Sequence, residues 1–153
     1  MIELPKRKRK RLDGYDYALT GAYFVTICTH ERKNLFWSDC QRNMAGSIVE
    51  KEILLIQNRF SEIEVVAYAI MPDHIHLLLN NAGSEANLST IIGSFKRDIT
   101  KQLRRENPNL KVWQVSFHDR IVRNQEEMDR INMYIELNPA NWMETHEIPP
   151  DLF

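Results

Sequence analysis

Cysteine is almost missing from this chain. Cys28 and Cys40 are the only two, and they do not form a metal-type CxxC spacing, so no disulfide framework is available and a reducing compartment is expected. No apolar run approaches the roughly 18 residues that a membrane-spanning helix needs. The basic amino terminus, MIELPKRKRKRL, is not followed by the apolar stretch of a signal peptide, so export is not expected and a cytoplasmic location is. Internal repeats, low-complexity segments and interdomain linkers are absent too. Aromatic residues, by contrast, make up 9% of the chain, which sets aside a disordered protein.

What is present suffices for a single domain spanning 1–153. With 153 residues and 43% apolar content, the chain can bury roughly 68 to 70% of its unfolded surface around one core. The net charge of -1 hides an asymmetry. Lys6, Arg7, Lys8, Arg9, Lys10 and Arg11 are consecutive cations, and Glu3 is the only acid before them, so the rest of the chain is acidic on balance. Such a block repels itself, and its commonest partner is nucleic-acid phosphate. Residues 1–12 are therefore expected to form a basic, flexible arm; a solubilising tail with no partner fits this feature equally well.

The hydrophobic period changes along the chain. AYFVTICT (22–29) is rich in β-branched and aromatic residues and predicts a strand. After a loop over 34–39, Ala45, Val49, Ile53, Ile56 and Phe60 recur at helical spacing. EVVAYAIM (64–71) and HIHLLLN (74–80) are apolar runs divided by Pro72 and Asp73, which predicts a hairpin. A second helix carries Leu88, Ile91, Ile92, Phe95, Ile99 and Leu103 on one side and Lys96, Arg97, Lys101, Arg104 and Arg105 on the other, ending before Pro108. Residues 112–122 can supply a fourth strand. Asn124 and Glu127 have the spacing of a reciprocal N-cap, opening a third helix that Pro139 should stop at about Asn138. The order predicts an α+β, ferredoxin-like βαββαβ fold: an antiparallel sheet with two helices on one face, plus an additional C-terminal helix.

Inside MPDHIHLLL (71–79), two histidines stand one residue apart in an otherwise apolar strand. Alternation puts His74 and His76 on one side and Ile75 on the other, so the two imidazoles can converge on one cation. Spacing alone favours an exposed strand face over a metal pair. In YIELNP, Tyr134 and Asn138 are four residues apart and share a helical face, with Arg130 one turn earlier. Taken singly, a rim tyrosine and a helix-ending asparagine are ordinary features.

Together these blocks resemble the REP-associated tyrosine transposases, a branch of the single-tyrosine HUH transposases and endonucleases. The resemblance runs through RLDGYDYALTGAYFVTICTHERKNLF (11–36), MPDHIHLLL, IIGSFKRDIT (91–100), WQVSFHDRIVRN (113–124) and YIELNPANW (134–142). It implies that His74 and His76 bind Mg²⁺ or Mn²⁺ with Asn138 completing the site. It also implies that Tyr134 attacks a phosphodiester of single-stranded DNA and keeps the 5′ phosphate as a phosphotyrosine. The implied substrates are REP-type palindromic hairpins, met by a monomer associated with the nucleoid. The basic side of the second helix (Lys96, Arg97, Lys101, Arg104) and the arm at 6–11 are candidate DNA contacts. His118 and Asp119 are candidate accessory residues, as a third imidazole or a proton carrier with its partner. Two rival readings are a hairpin-binding module that does not cleave and a metal-dependent phosphodiesterase that uses water.

Overall fold

The computed structural model describes residues 21–145, so the basic arm at Lys6 to Arg11 lies outside the described residues. Strand β1 spans Gly21–Cys28 and is followed by a short 3₁₀ turn at His30–Arg32. A small hairpin, β2 (Trp37–Ser38) and β3 (Gln41–Arg42), stands where the sequence predicts a plain loop. Then come α1 (Met44–Arg59), β4 (Ile63–Ile70), β5 (His74–Asn81), α2 (Leu88–Leu103), β6 (His118–Val122) and α3 (Gln125–Thr145). The main sheet has the order β4-β5-β1-β6 with every neighbour antiparallel, which is the ferredoxin-like arrangement. Among the described residues, no helix is long and apolar enough to cross a membrane.

Local chemistry explains most element ends. Asn43 caps α1 by accepting from the Gly46 amide at 3.0 Å, and Asn87 caps α2 by accepting from the Thr90 amide at 2.9 Å. The β4–β5 turn is closed by Met71 N donating to His74 O at 2.8 Å, which leaves Pro72 and Asp73 at the tip. At α3, Asn124 Oδ1 accepts from Glu127 N at 2.8 Å, as its spacing predicts, but the Glu127 carboxylate accepts from Arg123 N, also at 2.8 Å, and not from Asn124.

Two helical layers claim opposite faces of the sheet. Tyr23, Val25 and Ile27 of β1 and Ile75, Leu77 and Leu79 of β5 pack with Val49, Ile53 and Ile56 of α1 and Ile91, Ile92, Phe95 and Ile99 of α2. Phe24, Ala69, Met71 and Leu78 form the second core with Ile131, Tyr134 and Ile135 of α3. The first two helices thus share one face, and α3 covers the other.

Two expected boundaries differ. Strand β6 begins at His118 and not at 112, because residues 113–117 are drawn toward α2: Lys96 Nζ donates to Gln114 O at 2.9 Å and Trp113 Nε1 donates to Lys96 O at 3.1 Å. Helix α3 continues through Pro139 to Thr145. Proline there lacks the N–H that would bond four residues back. The helix therefore runs on with one backbone hydrogen bond fewer, while Ile131, Tyr134, Ile135 and Asn138 of the turns before the proline are buried.

Gly46 tests the packing at the start of α1. A Cβ there would lie 2.6 Å from Phe36 O and would also collide with the Arg42 side chain. Gly→Ala inside a helix normally gains about 1 kcal/mol. Here the backbone carbonyl cannot yield, so Gly46→Ala is expected to lower the thermal unfolding midpoint by several degrees; an unchanged or raised midpoint in calorimetry would contradict the packing described.

Candidate active site

The pleat of β5 turns His74 and His76 away from the Ile75/Leu77 core and toward the α3 face, where both are fully buried and their ring centroids lie 4.8 Å apart. Each ring is fixed through Nδ1. The register sets Thr26 opposite His76, with Thr26 Oγ1 3.0 Å from His76 Nδ1. His74 Nδ1 lies 2.7 Å from Asp73 Oδ1, and Arg32 Nε donates to the other oxygen, Asp73 Oδ2, at 3.1 Å. In the tautomer where Nδ1–H donates to carboxylate or hydroxyl, each ring presents Nε2 as its ligating atom.

Charge follows from burial. Desolvation pushes the His76 pKa well below its ordinary value, with the charges of His74 and Arg32 acting the same way, so the ring is neutral as a metal ligand must be. Burial raises the Asp73 carboxyl, but its bonds to His74 and Arg32 more than reverse this and hold it below its ordinary value.

Helix α3 brings Tyr134 and Asn138 against these rings. Tyr134 meets His76 edge-on at 5.5 Å between centroids and Phe24 at 6.4 Å, while Phe24 stacks on His76 at 5.2 Å. The Tyr134 hydroxyl and both amide atoms of Asn138 are buried with no hydrogen-bond partner among the described residues. Burial pushes the Tyr134 pKa up to about 12, with the Asn138 amide pulling the other way. Each buried polar atom left unsatisfied costs roughly 1 to 3 kcal/mol, so a site that keeps three of them is arranged for a ligand.

The donor set fits one hard or borderline divalent cation: two imidazoles and an amide oxygen. No group of three His, Cys, Asp or Glu side chains is placed to hold a metal among the described residues, so Asn138 would be needed as the third protein ligand.

The remaining candidates are not gathered here. His118 shares the site face, since it pairs with Thr26, but it lies on the far side of β1 from His76, two strand spacings or about 9 to 10 Å away, and is exposed. Burial still lowers its pKa somewhat. Asp119 pairs with Val25 and so belongs to the opposite face. Arg130 precedes Tyr134 by one turn yet is exposed. Arg97, Lys101 and Arg104 are exposed on α2, in the layer opposite α3, and Arg104 Nε donates to Leu110 O at 2.8 Å. Lys96 is not an outward cation: its half-buried ammonium is spent on the carbonyls of Gln114 and Ser116, and burial lowers its pKa. Conversely, Thr26, Phe24, Asp73 and Arg32 touch the histidines without having been singled out. Only Asp73 carried a local signal, and its place beside Pro72 read as turn chemistry.

Asp73→Asn separates orientation from ligation. Loss of such a carboxylate behind a ligating histidine typically weakens metal binding 10- to 100-fold, and that drop in Mn²⁺ affinity is expected by calorimetry. The variant also tests pH dependence. A carboxyl whose folded pKa is depressed contributes stability above its ordinary value of 3.8, and this is lost as pH falls through the folded value. Metal-free wild-type protein should therefore lose more of its thermal midpoint than Asp73→Asn between about pH 5 and pH 3. Equal losses would contradict the assignment.

Comparison with known proteins bears on the family and the fold. Residues 18–138 match the family described as IS200-like transposases. A Haemophilus influenzae protein provisionally named a REP-associated tyrosine transposase is 27% identical, over 82% of this chain and 73% of its own. An uncharacterised protein of the same species is 26% identical, over 89% of each chain. Among solved structures, a REP-associated tyrosine transposase bound to a REP hairpin superimposes with a TM-score of 0.58 at 20% identity, over 86% of this chain and 73% of that one. A Deinococcus radiodurans protein described provisionally as a transposase gives 0.55 at 21%, over 82% and 95%. The structural likenesses speak for the fold, and the match over residues 18–138 for the family: the chain belongs to the IS200-like transposases.

Proposed function

We propose that this protein cleaves and rejoins single-stranded DNA at REP-type palindromic hairpins, with Tyr134 as the nucleophile. The observation that carries the reading is the buried Tyr134 hydroxyl, set against His76 and one turn from the unsatisfied Asn138 amide. The hairpin-bound relative of similar fold supports the class of substrate.

Tyr134 Oη attacks the scissile phosphorus, and the bond to the 3′ oxygen breaks. The products are a 5′-phosphotyrosine and a free 3′ hydroxyl. That hydroxyl can later attack the phosphotyrosine and restore a phosphodiester, an option hydrolysis would discard. With a pKa of about 12, only about one phenol in 10⁵ is ionised at pH 7, so the phenol must lose its proton as it attacks. Phe24 and His76 fix the tyrosine ring, so the orientation is set before the substrate arrives.

His74, His76 and Asn138 would hold the cation, Mg²⁺ or Mn²⁺. When bound, it polarises a phosphoryl oxygen and neutralises developing charge. Helix α3 docks against the sheet of its own chain, which supports a site built in cis; the protein would act as a monomer. The arm at Lys6 to Arg11 and the exposed Arg97, Lys101 and Arg104 would add contacts to phosphate that do not read sequence.

The test uses single-stranded hairpin oligonucleotides with a randomised flanking strand and Mn²⁺. Denaturing gels and mass spectrometry should show a nucleotide on Tyr134. Tyr134→Phe should abolish the adduct while hairpin affinity stays within about three-fold, and His76→Ala should abolish it as well. Cleavage that survives Tyr134→Phe would show water to be the nucleophile; binding with no adduct in wild type would show a binding module. Either result overturns the proposal.

A further inference from the structure

The loop after β1 is fastened to the β4–β5 turn. Thr29 N donates to Asp73 O at 3.0 Å, and Leu35 N and Phe36 N donate to Pro72 O at 3.0 and 3.1 Å. Within that clamp, Glu31 and Arg32 take φ of 55° and 54°, the left-handed region, which is strained for residues with a Cβ. The effect is to direct the Arg32 side chain back across the turn. Its Nε donates to Asp73 Oδ2 at 3.1 Å, and Nη2 lies 3.5 Å from His74 Nδ1. When Nδ1–H donates to Asp73, the latter contact is proximity and not a hydrogen bond.

A brace for Asp73 would be the plainest role for Arg32, and two features exceed it. The guanidinium has five N–H donors, and Asp73 takes one. Its side chain also remains 44% exposed, while Asp73 and His74 beneath it are at 13% and 0%. A cation anchored at its base, open at its outer edge and adjacent to the paired imidazoles is arranged to receive an oxyanion. The exposed cations of α2 belong to the opposite layer.

We propose that Arg32 binds a non-bridging oxygen of the DNA phosphate seated at the His74, His76 and Tyr134 site, its guanidinium positioned by Asp73. This rests on the reading of that site given above. The backbone strain at residues 31 and 32 then serves to aim the side chain.

The test measures binding, so it needs no cleavage. The tightest-binding hairpin from the randomised pool is remade with a single uncharged methylphosphonate at each linkage in turn. Affinity in Mg²⁺ is measured for Tyr134→Phe protein with and without Arg32→Gln, and with Arg32→Lys. At one linkage, neutralisation should weaken binding by about ten-fold when Arg32 is present and by less than about two-fold in Arg32→Gln, with Arg32→Lys between them. The affinity of DNA-free protein for Mn²⁺ should change by less than about three-fold. Equal penalties at every linkage with and without Arg32 would overturn the proposal. So would a ten-fold loss of Mn²⁺ affinity with no linkage-specific effect, which would reduce Arg32 to a brace for Asp73. A wild-type protein that binds but forms no adduct overturns the cleavage reading alone, and one that binds no hairpin overturns both.

Discussion

Antiparallel pairing of β5 with β1 is the constraint on which the site depends. Eight consecutive pairs, from Gly21 with Asn81 to Cys28 with His74, lock the two strands. Because side chains alternate, a slip of one residue would drive both histidines into the core now filled by Ile75 and Leu77 and would turn those residues toward α3. The same register places Thr26 across from His76 and Phe24 across from Leu78, so the strand that holds the histidines in place also supplies the bond and the ring that orient His76.

The second requirement is the docking of α3. Ile131 and Ile135 pay for it through burial against the sheet, and the same helical face carries two residues, Tyr134 and Asn138, whose side-chain polar atoms find no hydrogen-bond partner among the described residues. Folding tolerates that loss of a few kcal/mol because the apolar anchors on either side outweigh it. A tyrosine in such surroundings is a poor nucleophile until something lowers the cost of its anion. Burial holds His76 opposite it neutral, and both histidines are oriented through Nδ1, which is the preparation a cation requires.

Features that depend on neighbours in sequence were legible without the fold. Alternation placed His74 and His76 on one side of a strand, and spacing of four placed Tyr134 and Asn138 on one side of a helix. The apolar stripes of α1 and α2 and the Pro72–Asp73 turn were legible for the same reason. The reaction itself came from resemblance and not from spacing. What escaped depends on contacts between distant segments. Arg32 reaches Asp73 only because a left-handed turn is clamped to the β4–β5 hairpin, and Thr26 meets His76 only through strand register. Lys96 matched the outward helical face by period, yet two loop carbonyls draw it inward. Proline's local cost predicted an end to α3 at about Asn138, and the helix instead runs through Pro139 to Thr145.

The most direct measurement of whether β5 and α3 build one metal site is pulsed EPR of Mn²⁺ bound to the DNA-free protein. One Mn²⁺ per chain, coupled to two imidazole nitrogens, is the expected spectrum, with one coupling lost in His74→Ala and one in His76→Ala. Mn²⁺ that shows no histidine coupling, or that binds undiminished when both histidines are replaced, would contradict the site.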